Sequence, residues 1–216
     1  MILSDKQIRA AIVARDIVIE PFDERSLGTN SYDVHLGDTL KVYVPEDQCV
    51  PCDAVGCGAS HVLPVLDCRK PLKTKTIKID PDKGFVLQPG IGYLGVTQEY
   101  TETHKHVPFL DGKSSVGRLF TFIHCTAGRG DVGFCNHWTL ELVVAQATRV
   151  YAGMPIGQLI YFETGDVAVP YNKKASAKYN QRSTEPQPSQ MWKNFKRNTD
   201  DNFDGDQLTS WPPSFD

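Results

Sequence analysis

Apolar residues recur at helical spacing near the start of the chain, where Ile8, Ile12 and Val13 follow the capping-box pair Ser4 and Gln7. This predicts a helix over about residues 5–15. After Pro21 the pattern changes to short apolar or alternating runs broken by Gly and Pro. Such runs predict strands at 31–36, 40–44, 74–79, 84–87, 92–98, 119–126, 138–144, 148–151 and 157–163. Many short strands with turn signals between them imply a mainly β subunit, a sandwich or distorted barrel. A last helical turn is expected at 189–195. From Arg197 the composition becomes RNTDDNFDGDQLTSWPPSFD, with five Asp and one Arg. That stretch reads as an acidic, flexible tail over 197–216, following one domain over 1–196.

Composition narrows the picture only a little. At 216 residues the natural prior is one domain with one core. A net charge of −3 argues against a general nucleic-acid binder, whose affinity comes from clustered positive charge. No run of about 18 apolar residues predicts a membrane span. MILSDKQIRAAIV has neither the basic nor the continuous apolar region of a signal peptide. The expected location is therefore the cytoplasm, or a host's cytoplasm if the source is viral. Six cysteines without an export signal are read as thiols or metal ligands, not a disulfide framework.

Candidate chemistry is concentrated between Asp111 and Glu141, DGKSSVGRLFTFIHCTAGRGDVGFCNHWTLE. Lys113, Ser114, Ser115 and Arg118 put fixed cations and hydroxyls on one tight segment, as triphosphate recognition requires. In isolation the same residues describe a capped surface turn with solvated charges. Arg129 and Asp131 sit in a Gly-rich hairpin, where Gly128, Gly130 and Gly133 also fit ordinary turn chemistry. Glu141 interrupts an apolar strand. By alternation it shares a face with Thr139 and Val143, away from Leu140 and Leu142, and that pattern alone describes a solvated strand position.

A second cluster, Cys49, Cys52, Cys57, His61 and Cys68, lies in an expanded segment at about 45–69. These residues could supply soft ligands to a structural zinc. Free thiols in a long loop are the favoured reading. A zinc-dependent cytosine deaminase would need a histidine followed two residues later by glutamate, and no histidine here is.

Seven motifs in fixed order then resemble the dCTP deaminase branch of the trimeric dUTPase-like superfamily. They are SDKQI, NSYDVHLG, GKSSVGRL, TAGRGDVGF, WTLEL, YAGMPIGQLIYF and KYNQRSTEPQPS, covering most of residues 1–195. The resemblance implies a distorted β-barrel or jelly-roll of the dUTPase-like type with a few short helices, assembled as a homotrimer with shared active sites. It implies hydrolysis of dCTP to dUTP and ammonia in deoxynucleotide metabolism, with Glu141 as general acid/base. Lys113, Ser114, Ser115, Val116, Gly117 and Arg118 would hold the phosphates. Asp131, Thr139 and Leu140 would line the nucleoside, and Ala127 would lie beside the attacking water. Arg129 would reach a neighbouring subunit's site, and Ser114, Arg118, Ala127 and Arg129 would join Glu141 in the catalytic set. Tyr171, Lys178 and Gln181 resemble a lid. Mg²⁺ would accompany the triphosphate, with no catalytic metal held by the protein.

The chain departs from the family pattern in places. Lysine replaces the usual arginine at Lys113, keeping the charge and losing the bidentate fork. Gly128 and Gly130 stand where bulkier residues are common. Three alternatives stay open: a bifunctional enzyme that continues to dUMP, a plain dUTPase, disfavoured because the Gly-rich, Arg-containing C-terminal motif of such enzymes is missing, and a nucleotide sensor without catalysis, disfavoured because Glu141 is retained.

Overall fold

The structure, a computed structural model, describes residues 1–44, 49–51 and 62–197. Contacts divide the chain into two units, residues 1–44 with 73–188 and residues 45–72 with 189–216. The second unit contributes the hairpin β4 (Cys49–Pro51) and β5 (Val62–Pro64) and the short helix α3 (Trp192–Arg197). Within it the Arg69 guanidinium lies over the Phe195 ring. The acidic tail, Cys52, Cys57 and His61 lie outside the described residues. Cys68 is an exposed free thiol.

The first unit opens with α1 (Asp5–Val13), and both arms of the predicted capping box are present. The Gln7 N–H donates to Ser4 Oγ, while Gln7 Oε1 accepts from the Ser4 N–H at 2.9 Å. Ile8 and Ala11 face the core. Eleven strands follow: β1 (Ile17–Glu20), β2 (Tyr32–His35), β3 (Thr39–Tyr43), β6 (Thr74–Lys78), β7 (Phe85–Leu87), β8 (Tyr93–Thr103), β9 (His106–Gly112), β10 (Thr121–Phe122), β11 (Cys135–Val144), β12 (Thr148–Val150) and β13 (Pro155–Glu163). The fold is mainly β, as predicted. The strands are divided among separate sheets, so the pairing does not close into one barrel.

The largest sheet runs β10-β11-β8-β3-β6, with β1 also on β8, and a second runs β2-β13-β9. Their inner faces share a core that includes Tyr32, Leu36, Leu40, Leu140, Leu142, Ile156 and Tyr161. The register of β8 on β11 slips near Trp138, where Thr97 Oγ1 donates to the Glu99 carbonyl and accepts the Trp138 N–H. This irregularity turns Glu99 toward the other sheet, where its carboxylate accepts from the His35 N–H and contacts His35 Nδ1 at 2.6 Å.

Five elements differ from the pattern-based expectation, among them β4 and β5, short strands inside the expanded segment where none was predicted. The predicted strand at 119–126 shrinks to Thr121–Phe122. Strand β1 lies between the first helix and Pro21, in a stretch where no strand was predicted. Strand β9 also lies outside the predicted set, and it contains Pro108, a residue type that central strands exclude. Proline is tolerated there because β9 is the edge of its sheet.

Candidate active site

The phosphate-type segment forms α2 (Ser114–Gly117), a single turn. Val116 is buried and anchors the turn, while Ser114, Ser115, Gly117 and Arg118 are exposed. Arg118 Nη1 folds back to donate to the Ser114 carbonyl at 3.1 Å. Lys113 is half-buried, and its Nζ is paired with Asp33 Oδ2. Asp33 Oδ1 also accepts from Gln158 Nε2 at 2.7 Å. One carboxylate on β2 therefore fixes the lysine at the entrance to the turn.

From this turn the chain reverses through Phe120, at φ 54°, and enters β10. Strand β10 pairs with the end of β11, Thr121 opposite Val144 and Phe122 opposite Val143. The Glu141 N–H donates to the Ile123 carbonyl at 2.9 Å. Its Oε2 accepts the Cys125 N–H at 3.2 Å. The strand alternates as its sequence predicts: Leu140 and Leu142 are fully buried, while Thr139 and Glu141 are half-buried on the opposite face. A few residues of chain thus connect the hydroxyl-bearing turn to the carboxylate.

Beyond Cys125, residues 128–130 run along the outer edge of β9. The Leu110 N–H donates to the Gly128 carbonyl, and the Gly130 N–H donates to the Pro108 carbonyl at 2.8 Å. This closeness explains two departures from the family pattern. A Cβ on Gly128 would stand 2.3 Å from the Leu110 carbonyl oxygen, and one on Gly130 would stand 2.7 Å from the Trp138 ring. Both glycines serve by leaving room; of the three in this hairpin, Gly133 alone takes a positive φ. Ala127, Arg129 and Asp131 are exposed along this strip.

The segment after β13 lies against β11. Tyr171 donates its backbone N–H to the Val132 carbonyl at 2.7 Å, and its hydroxyl accepts the Tyr179 N–H. The buried Asn136 holds the next turn through both ends of its amide. Nδ2 donates to the carbonyls of Tyr179 and Gln181, while Oδ1 accepts from the N–H groups of Ser183 and His137. Lys178 is half-buried, and the Gln181 side chain is exposed. Thr139 Oγ1 accepts the Gln187 N–H at 3.0 Å, so its hydroxyl already has a partner. Lys41 and Glu185 form an ion pair at 2.8 Å. Hydrogen bonding from the lysine holds the Glu185 carboxyl below its ordinary range, and the lysine's charge adds to this.

Asn136 is the positioning residue that pattern reading missed. A buried amide at the start of β11 carries no periodic signal, and the partners it clamps, in Tyr179, Gln181 and Ser183, lie more than forty positions away. Hydrogen bonds from β11 therefore reach Ile123 and Cys125 on one side and the segment from Tyr179 to Gln187 on the other.

Residues 2–164 match the dCTP deaminase-like family. The chain belongs to that family. It is 46% identical over 195 residues to a protein of Clostridium acetobutylicum named "dCTP deaminase, dUMP-forming", covering 90% of this chain and 99% of that one. Proteins of the same name from Clostridium beijerinckii and Leptospira biflexa are each 42% identical over 197 residues. These alignments cover 91% of this chain and 100% and 99% of theirs. The crystal structure of 2'-deoxycytidine 5'-triphosphate deaminase from Agrobacterium tumefaciens aligns with a TM-score of 0.53 at 20% identity. That alignment covers 76% of this chain and 48% of the Agrobacterium chain, so this chain spans about half the length of that protein and shares its fold. No helix among the described residues is long and apolar enough to cross a membrane.

Proposed function

We propose that this protein converts dCTP and two waters to dUMP, pyrophosphate and ammonia. The carrying observation is the near full-length similarity to three proteins named as dUMP-forming dCTP deaminases. Their names move the reading from a reaction that stops at dUTP to the bifunctional one. In the first step Glu141 takes a proton from water as the oxygen bonds to C4 of cytosine. It returns that proton to N3, and a further proton transfer lets ammonia leave as the C4–N bond breaks. The second water attacks the α-phosphorus, and pyrophosphate leaves.

The geometry supports Glu141 in this role. It is half-buried, oriented by the Cys125 N–H, and linked by a short stretch of chain to the exposed hydroxyls of Ser114 and Ser115. Arg118, Lys113 and the backbone of the turn would receive the phosphates, with Val116 as the anchor. Mg²⁺ would arrive on the triphosphate as its counter-ion, since Asp33 beside the turn is already engaged by Lys113 and Gln158. A homotrimer with Arg129 reaching a neighbour's site completes the reading. It is supported by the exposed side chains of Leu119, Phe120 and Phe122 beside the turn, each more than half accessible.

The deciding experiment incubates purified protein with dCTP and Mg²⁺ and resolves dUTP, dUMP, pyrophosphate and ammonia over time. Equal yields of dUMP, pyrophosphate and ammonia are expected, and accumulation of dUTP as the end product would refute the second step. For the shared site, inactive Arg129→Ala and Glu141→Gln chains are unfolded and reassembled together. Activity returning with the fraction of composite sites supports the trimer, and a dead mixture with proven subunit exchange rejects it.

A further inference from the structure

Strands β8 and β11 build a second polar group on the face that carries Tyr100. Glu102 lies directly opposite Cys135 in the antiparallel register, and His104 follows two residues later on the same face as Glu102. A carboxylate oxygen, an imidazole nitrogen and the thiol sulfur thereby come within 4.8 Å of one another. Glu102 Oε2 and His104 Nε2 are 2.9 Å apart. Glu102 and Cys135 are half-buried, and His104 is exposed and open to solvent.

The surroundings orient these three groups. The Tyr100 hydroxyl donates to Glu102 Oε1 at 2.8 Å, leaving Oε2 turned toward His104. The Cys135 thiol donates to the Gly133 carbonyl at 3.4 Å, and Asn172 Nδ2 approaches its sulfur at 3.9 Å. Burial, with the nearby Glu102 carboxylate, pushes the thiol above its ordinary range. Burial works to raise Glu102 as well, but hydrogen bonds from Tyr100 and His104 outweigh it and leave the carboxyl below its usual value.

We propose that Glu102, His104 and Cys135 form a binding site for a zinc-class divalent ion. A mixed oxygen, nitrogen and sulfur set suits a borderline-soft cation, whereas Mg²⁺ and Ca²⁺ take oxygen ligands. Zinc bonds of about 2.0–2.3 Å to such ligands need donor separations of roughly 3–4 Å, so the three atoms have only a short distance to close. His104 is free to adjust because it is exposed. Binding releases the thiol proton, and the divalent charge replaces it between the carboxylate and the thiolate. The Tyr100 hydroxyl keeps its bond to the carboxylate as an outer support. A fourth position is left for water.

The site also touches the C-terminal segment. Asn172 contacts the cysteine sulfur, and the Arg182 guanidinium lies 3.9 Å above the Tyr100 ring. Bound metal would therefore stiffen the same stretch that Asn136 clamps. This inference is independent of Glu141 and of the proposed reaction.

The test uses the full chain and Zn²⁺ alone. Zinc binding is measured by equilibrium dialysis and titration calorimetry for the parent, Cys135→Ser, His104→Ala and a Cys52→Ser/Cys57→Ser control. The parent and the control are expected to share one zinc equivalent that the first two variants lose or bind at least tenfold more weakly. Crystals of the parent soaked in Zn²⁺ are then recorded at the zinc edge, and an anomalous peak within bonding reach of Cys135 Sγ is expected. A parent that binds no zinc, or variants that bind it unchanged, would overturn the proposal. If a variant fails to fold, the anomalous map decides: no peak at Cys135, or peaks confined to the Cys49–Cys68 segment, would reject the site.

Discussion

Two stretches frame the candidate site, and they are held in opposite ways. The turn at 113–118 presents Ser114, Ser115 and Arg118 to solvent and is fastened by a buried side chain, Val116, and an ion pair, Lys113 with Asp33. The stretch from Tyr171 to Gln187 contains only one short 3-10 turn, Tyr171–Lys173, yet hydrogen bonds with Asn136 and Thr139 tie it to the sheet, and the Tyr179 N–H donating to the Tyr171 hydroxyl braces it from within. The first leaves the Ser114 and Ser115 side chains exposed, with Lys113 and Arg118 held by contacts of their own. The second spends its backbone polar groups on the protein and becomes a fixed wall without regular structure. Satisfied polar groups can thus position a segment as firmly as a ladder of strands, provided the anchoring side chain is buried and every donor is used.

Removing chemistry without disturbing either stretch gives the largest expected effect. Glu141→Gln keeps the Cys125 N–H contact through its amide oxygen and loses the ability to take a proton. Its kcat should fall at least about 10²-fold while nucleotide binding survives. Steady-state ammonia release, alongside calorimetry with dCTP, measures both. Near-normal turnover would remove Glu141 from the mechanism.

Next in size is a break in the clamp alone. Asn136→Ala removes the acceptor of the Ser183 and His137 N–H groups and one donor to the Tyr179 and Gln181 carbonyls, the latter still accepting from Gln187 Nε2. Stability should drop by about 2–3 kcal/mol, the range for buried groups left unsatisfied. Hydrogen exchange should rise sharply over 179–187 and stay unchanged over 113–118. If both stretches loosened together, the contrast between them would be wrong.

The sequence made the first of these stretches legible as local chemistry, and the second only through its resemblance to the family pattern, with its anchors hidden. Alternation around Glu141 predicted its face correctly, because a strand with one buried side must repeat every two residues. The Lys113–Arg118 segment was readable because its donors are contiguous. Asn136, Thr97 and Asp33 were not, since each acts on partners far along the chain and no local period records them. Gly128 and Gly130 looked like turn residues, and their actual cause, the edge of β9 and the Trp138 ring, becomes visible only once distant strands are placed. Strand β9 poses a related problem: whether a proline such as Pro108 breaks a strand depends on its being at an edge, a property of the sheet and not of the segment.

A smaller effect is expected from freeing the lysine of the turn. Asp33→Asn keeps an acceptor for Gln158 but removes the charge that holds Lys113. Thermal stability should fall by about 1 kcal/mol, as for a partly exposed ion pair. KM for dCTP should change with kcat unaltered, because Lys113 would bind ground state and transition state alike. A fall in kcat alone would mean that the pair acts on the chemistry instead of on docking.

The weakest fastening of the C-terminal stretch is the Lys41–Glu185 pair, and it should be the one that pH releases. Glu185 titrates below its ordinary range in the folded protein, first because Lys41 donates to it and then because of the lysine's charge. A carboxyl with a depressed folded-state value contributes stability above its unfolded value and loses it as pH falls through the folded one. The contribution should therefore be complete at neutral pH and disappear below the ordinary carboxylate range. Glu185 is about half exposed, so solvent screening limits the loss to less than about 1 kcal/mol. Glu185→Gln should lower neutral-pH stability by that small amount and converge with the parent in acid, while Asn136→Ala stays less stable at every pH. Parallel melting curves of the three proteins across the acid range test this. A Glu185→Gln deficit that persisted undiminished in acid would show that the side chain acts by packing and not by charge.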